Sequence, residues 1–212
     1  MTEAIKKIAV VGLGAVGGVF AGLLGTLPRS KHIQLSAIAR GKALAALQTQ
    51  GLVWTDAAGQ THRVALTASD AAADLGPQDV VIVAVKGPSL AGVAPVVQQL
   101  LAPHTLVLVA MNGVPWWFFE GLGGPCDGLQ LPLLDPHGVI AQCIPTSQVL
   151  GCVVHFSAQS PGAGVVEKMQ GNRLIIGEPA GGVSARAQAL ADCLNAAGFD
   201  VQVSSRIQQD IW

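Results

Sequence analysis

The sequence has no surplus of either charge, no C-x-x-C motif and no internal repeat, and each absence removes a class of function. A net charge of -1 over 212 residues gives no global field for nucleic acid or an acidic membrane surface, so any electrostatic argument must be local. Cys126, Cys143, Cys152 and Cys193 form no C-x-x-C pair and no metal-ligand spacing, which predicts reduced thiols in a cytoplasmic chain without a bound metal. Carboxylates are missing altogether between Glu3 and Asp56. Half of the lysines and arginines (Lys6, Lys7, Arg29, Lys31, Arg40, Lys42) lie in the first 42 positions, so this stretch should attract an anion. What is abundant is apolar: half of the residues are hydrophobic, enough for a substantial core and too many for disorder.

Residues 8–11 form a short β-branched run ending at glycine, the pattern of a strand buried on both faces. A helix is predicted over 15–24, a strand over 34–39, and a helix over 42–50 closed by Gly51. Residues 52–55 and 62–66 read as a hairpin, and Ser69 as the cap of a short helix through residue 73. Strands are expected over 80–85 and 106–111, with a helix over 90–101 between them. A stretch rich in proline, glycine and aromatics follows as far as Pro145. Beyond it the pattern gives a strand over 149–156, a hairpin of 164–168 with 173–177, a helix over 184–197 capped by Ser184, and a strand over 200–204. A last helix opens at Ser204 or Ser205, places Ile207 and Ile211 on one face, and has no stop signal. This alternation predicts an α/β, Rossmann-like, doubly wound fold whose sheet is mostly parallel with added antiparallel strands. The competing expectation is a membrane span over residues 8–27, uncharged behind two lysines. Its six glycines and the recurrence of similar apolar runs argue for the strand instead.

Gly12-Leu13-Gly14-Ala15-Val16-Gly17 fits G-x-G-x-x-G and sits between a predicted buried strand and a helix start. The first glycine permits a tight turn, the second lets the backbone approach a pyrophosphate, and the third lets helix and strand pack closely. Where an NAD site would place an acid, about 20 residues on, the chain reads Ala39-Arg40-Gly41-Lys42. A guanidinium there pairs with a 2′-phosphate and selects NADP(H); the plain alternative is a solvated arginine at a strand end. Lys86 and Asn112 each follow a buried strand, at the edge where open α/β sheets bind ligands. Alternatively Lys86 snorkels and Asn112-Gly113 is a turn dipeptide. Trp116-Trp117-Phe118-Phe119 would point all round a helix, which predicts an exposed aromatic contact surface. His155 reads as a hydrogen-bonded structural histidine, and Glu167, Lys168 and Glu178 as solvated charges around a hairpin.

Together the glycine loop, Arg40, Val85-Lys86, Asn112-Gly113, Gly151-Cys152-Val153-Val154-His155 and Asp210-Ile211-Trp212 make the chain resemble the ketopantoate reductase (2-dehydropantoate 2-reductase) family over its whole length. The resemblance implies that the loop and Arg40 hold NADPH, and that Lys86 and Asn112 support catalysis beside the nicotinamide ribose and the substrate. It also implies that Ser157 touches the cofactor through its backbone. Family members reduce the ketone of ketopantoate to pantoate, on the route to pantothenate and coenzyme A. Their pro-S hydride leaves the nicotinamide while a lysine just beyond the Ile-Trp pair protonates the alkoxide. That lysine lies past Trp212, as does the helical domain that contacts the substrate and dimerises. Residues 1–204 are therefore expected to form the NADP-binding domain and 205–212 to open the first helix of an absent one. Such a chain should bind cofactor weakly or moderately and turn over little or nothing. The aromatic cluster and the stretch to Pro145 are more elaborate than the family's simplest members show, and sister classes reduce other 2-oxo acids or related small ketones. A non-catalytic nucleotide-sensing module of the same fold is the other reading, although such domains usually carry the ribose-binding acid.

Overall fold

The computed structural model describes residues 5–27 and 33–212, so Glu3, Arg29 and Lys31 of the basic stretch lie outside the described residues. Among the described residues ten strands form one sheet: β1 (Lys7–Val11), β2 (Gln34–Ile38), β3 (Leu52–Thr55), β4 (Thr61–Val64), β5 (Thr67–Ser69), β6 (Val80–Val83), β7 (Leu106–Ala110), β8 (Val149–Gly162), β9 (Val165–Gly177) and β10 (Asp200–Ser204). Six α-helices accompany them: α1 (Ala15–Gly25), α2 (Gly41–Gln50), α3 (Leu90–Gln98), α4 (Val139–Cys143), α5 (Ala185–Ala196) and α6 (Ile207–Ile211). The strand order is β4-β3-β9-β8-β7-β6-β1-β2-β5, with β10 beside β9. Only β3 with β4 and β8 with β9 pair antiparallel, as expected of a Rossmann-like sheet with antiparallel additions.

The central strands are buried on both faces. Ile8 and Val10 of β1 join one core with Phe20 of α1 and Leu190 of α5. Ala9 and Val11 join the other with Ala94 of α3, Ile140 of α4, Trp116 and Trp117. The span expected as an alternative over residues 8–27 is thus a strand and an 11-residue helix, and no helix among the described residues is long and apolar enough to cross a membrane. Its glycines serve packing: side chains at Gly18, Gly22 and Gly25 would collide with Val166, Trp54 and Val64, so α1 lies flat on the sheet.

Four expectations need correction. Residues 164–168 and 173–177 are not a hairpin but parts of the single strand β9, paired with a β8 that runs to Gly162 rather than stopping at residue 156. Gly171, at φ 74°, supplies an irregularity in the ladder where its composition suggested a turn. Ser69 ends β5 instead of capping a helix; its Oγ accepts from the Ala71 amide at 3.0 Å and donates to Asp74 at 2.5 Å around one 3-10 turn. The aromatic run forms turns, not a helix, so the argument for outward-pointing rings fails. Trp116, Trp117 and Phe118 are buried, with Trp117 fitted against Gly151. Finally, Glu178 is only 9% exposed. Its carboxylate takes both arms of the Arg186 guanidinium, at 2.7 and 2.5 Å, and the Ser184 hydroxyl at 2.5 Å. Lys168 is half-buried, and burial lowers its pKa against the pull of Asp56. Glu167, also half-buried, accepts from Gln159 at 2.6 Å.

Candidate active site

At the carboxyl end of β1 the chain must turn within three residues to enter α1. Gly12 makes that turn at φ 93°, and a Cβ on it would lie 2.7 Å from Val85 and 2.9 Å from the Ala84 carbonyl oxygen. At Gly17 a Cβ would be driven into the Gly12 carbonyl oxygen, so this glycine seats the helix on the turn. Gly14 differs: it is exposed, and a Cβ there would meet nothing within 4 Å. The fold does not require its smallness. Gly14 is also the N-cap of α1, where no side chain caps the helix and no acid occupies the first turn. Amides at a helix start, including those of Ala15, Val16 and Gly17, have no partner within their own helix and together carry its positive end. Leu13, half-buried, packs back onto the core and anchors the loop.

Strand register gathers the other predicted residues along the same edge. Val11 pairs with Ile38, so Arg40 follows beside the glycine turn. Arg40 is exposed at the N-cap of α2, and among the described residues it has no carboxylate partner. Val11 also pairs with Val83, and Val83 with Val109, so Lys86 and Asn112 follow just beyond the ends of neighbouring strands, β6 at Val83 and β7 at Ala110. The chain moves from β1 to β2 on one side and later to β6 on the other, and such a switch of direction is where open α/β sheets bind their ligands. Ser157 lies farther out, exposed on the part of β8 that overhangs β7 and opposite Gln170 of β9.

Lys86 is exposed at the sheet edge, whereas the side chain of Asn112 is committed. Its Nδ2 donates to the Val154 carbonyl at 3.0 Å and its Oδ1 accepts from the Val154 amide at 2.8 Å, copying a backbone pair and extending the β7–β8 ladder by side chain. Asn112→Ala is therefore expected to lose about 1–3 kcal/mol of stability, read as a lowered midpoint of thermal unfolding. An unchanged midpoint would assign the side chain to ligand alone. His155, expected to be hydrogen-bonded, is exposed on β8 opposite Arg173, on the part of the strand that has passed the end of β7.

A model of the family described as ketopantoate reductase PanE/ApbA matches residues 8–123. A 2-dehydropantoate 2-reductase of Mesorhizobium japonicum is 37% identical over 97% of this chain and 62% of its own length. A ketopantoate reductase candidate from Ralstonia solanacearum MolK2 superposes with a TM-score of 0.92 at 47% identity, over 99% of this chain and 63% of that one. The dimeric ketopantoate reductase of Staphylococcus aureus gives a TM-score of 0.66 at 23% identity over 97% and 62%, a likeness of fold alone. The chain thus spans less than two thirds of the length of these relatives. With more than half of its residues under the family model and its glycine turn, Arg40, Lys86 and Asn112 along one sheet edge, the chain belongs to the ketopantoate reductase family.

Proposed function

We propose that this chain is the cofactor-binding part of a cytoplasmic, NADPH-dependent reductase of a 2-oxo acid, 2-dehydropantoate being the substrate its family name points to. The observation that carries the reading is Gly14: exposed, unneeded by the fold's own packing, and set at an uncapped helix start. A smooth backbone where no protein atom approaches suits a pyrophosphate resting on bare amides. The residues present therefore fit the dinucleotide. The amides of Leu13 to Gly17 and the α1 dipole would hold its phosphates, and the Arg40 guanidinium would hold the 2′-phosphate. Ser157 would meet the far end through its backbone.

When bound, the nicotinamide supplies the hydride; the ketone carbon gains it and the ketone oxygen a proton, giving a 2-hydroxy acid and NADP+. For that chemistry Lys86 offers an exposed ammonium to the substrate carboxylate or the ribose. Asn112 acts as a positioning residue that fixes the start of the β8 overhang against β7. The proton donor is assigned to a lysine beyond Trp212. Residues 205–212 are read as the opening of a helical domain through which the longer protein forms a homodimer.

Arg40 provides the test. A charge-assisted bond of about 1.5–3 kcal/mol corresponds to roughly ten- to hundredfold in affinity. Arg40→Ala is expected to weaken NADPH binding by that factor while moving NADH less than about threefold, measured by parallel fluorescence titrations. Equal loss for both cofactors, or none for either, would remove the 2′-phosphate assignment.

A further inference from the structure

We propose, resting on the 2-oxo acid reading above, that residues 121–134 form a strap that closes over the bound substrate, carrying Leu133 into the cavity beside Lys86 and Asn112 as a cap on the substrate's carbon substituent. The strap lies in the proline- and glycine-rich stretch before α4, outside the sheet and the dinucleotide site. From Gly121 to Leu134 every residue but Leu131 is exposed. Among the described residues its hydrogen bonds are internal or reach the adjoining Asp135, except that the Gly128 amide donates to the Phe119 carbonyl at 2.8 Å. Gly121, Gly123, Gly124 and Gly128 lie at φ between 70° and 75°, where a backbone without Cβ turns freely. The two roots, by contrast, are held. The Glu120 carbonyl accepts from the buried Gln208 at 3.4 Å, and the buried Asp135 carboxylate accepts from the Ile140 and Ala141 amides at 2.7 and 2.9 Å. A segment with few bonds between two fixed ends is the part of a fold that moves at least cost.

The strap borders two cavities. Leu129, Leu131 and Pro132 line one of about 590 Å³ against Trp116, and Leu133 and Leu134 line another of about 360 Å³ walled by Ala91, Met111, Val114 and Ile140. Gly87 and Met111 line this second cavity and directly adjoin Lys86 and Asn112 in sequence. A Cβ on Gly87 would lie 3.9 Å from the Met111 methyl, so the β6 and β7 ends meet at the cavity wall. With the substrate carboxylate on the Lys86 ammonium, the substituent enters this space. Leu133 stands at its border yet is 97% exposed. One leucine cannot fill 360 Å³, and a side chain facing a void forfeits its contacts on that side. Over a substituent already in place it has atoms to pack against, so closure follows the substrate. Full burial of a leucine is worth about ten- to hundredfold in that closing equilibrium.

Chymotrypsin, which cuts after leucine, tests the strap in the complete protein to which this chain belongs, with nicks within residues 121–134 mapped by mass spectrometry. NADP+ with ketopantoate forms a complex that has no hydride to transfer, and it is expected to slow cutting there at least about fivefold relative to NADP+ alone. Leu133→Ser is expected to remove that protection and to lower kcat/KM for ketopantoate in NADPH oxidation at least about tenfold, with NADPH affinity and the unfolding midpoint unchanged. Val183→Ser, at an exposed valine outside the strap, should leave protection and kinetics as in the wild type. Cutting slowed as much by NADP+ alone, no slowing by the pair, or a Leu133→Ser enzyme as efficient as the wild type overturns the strap; with ketopantoate still turned over, the reductase reading stands. No NADPH oxidation with ketopantoate, in protein that binds NADPH, overturns both.

Discussion

Gly17→Ala is expected to destabilise the chain by about 3 kcal/mol or more and to abolish NADPH binding, whereas Gly14→Ala should leave thermal unfolding intact and still weaken NADPH more than about tenfold. The two glycines belong to one motif but answer to different neighbours. A methyl on Gly17 meets the Gly12 carbonyl oxygen, a backbone atom that cannot rotate aside, so the turn and α1 must separate. At this chain length a loss of that size lowers the unfolding midpoint by roughly 6–12 °C. A methyl on Gly14 meets open space, and its φ of -83° with ψ of -159° is accessible to alanine. Reducing the freedom of the unfolded chain should even raise stability by about 0.4–1 kcal/mol. Melting curves and NADPH titrations on both variants separate the cases. Unimpaired binding by Gly14→Ala would mean that the open space above it is solvent alone, and the pyrophosphate assignment would fall.

That division was partly legible in the sequence. The glycine spacing, the β-branched runs of β1, β6 and β7, and the Ser184 cap follow from local rules, because each depends on neighbours within a few positions. Ser184 does cap α5, its Oγ accepting from the Ala187 amide at 3.1 Å. The register that brings Arg40, Lys86 and Asn112 to one edge follows once the strands are parallel. What stayed hidden depends on partners far along the chain. Asn112 finds Val154 across 42 residues, so its dual role as strand extension is invisible to any local window. Gly171-Asn172 carries turn composition and serves as a ladder irregularity, since the β8 overhang was there to pair with it. Four aromatics in a row point all ways on a helix; on turns over a broad sheet Trp116 and Trp117 join the same core, and Phe118 is buried beside Phe119.

Arg186→Ala should lower stability by about 3 kcal/mol at neutral pH, the low end for breaking a buried pair because Arg186 remains partly exposed. Glu178 would be left with the Ser184 hydroxyl alone, and the chain entering β8 would lose the guanidinium bonds to the carbonyls of Ser147 and of Val149, the first residue of the strand. Burial pushes the Glu178 carboxyl up, but hydrogen bonds from Arg186 and Ser184 and the Arg186 charge outweigh it, so its pKa lies below the ordinary value. A carboxyl depressed in the folded state contributes stability that is complete above its unfolded pKa, near 4.3, and disappears as pH falls through the lower folded value. Removing Arg186 leaves the burial effect less opposed, so the variant's Glu178 pKa rises. The gap between wild type and variant should therefore be widest near pH 7, hold to about pH 5, and narrow below about pH 4, which urea unfolding across that range would record. A gap constant with pH would show that the guanidinium acts through its carbonyl bonds and not through Glu178. Replacing both partners by apolar residues, as in Glu178→Leu with Arg186→Met, should restore much of the loss, because the largest penalty is a buried charge left without its counterpart.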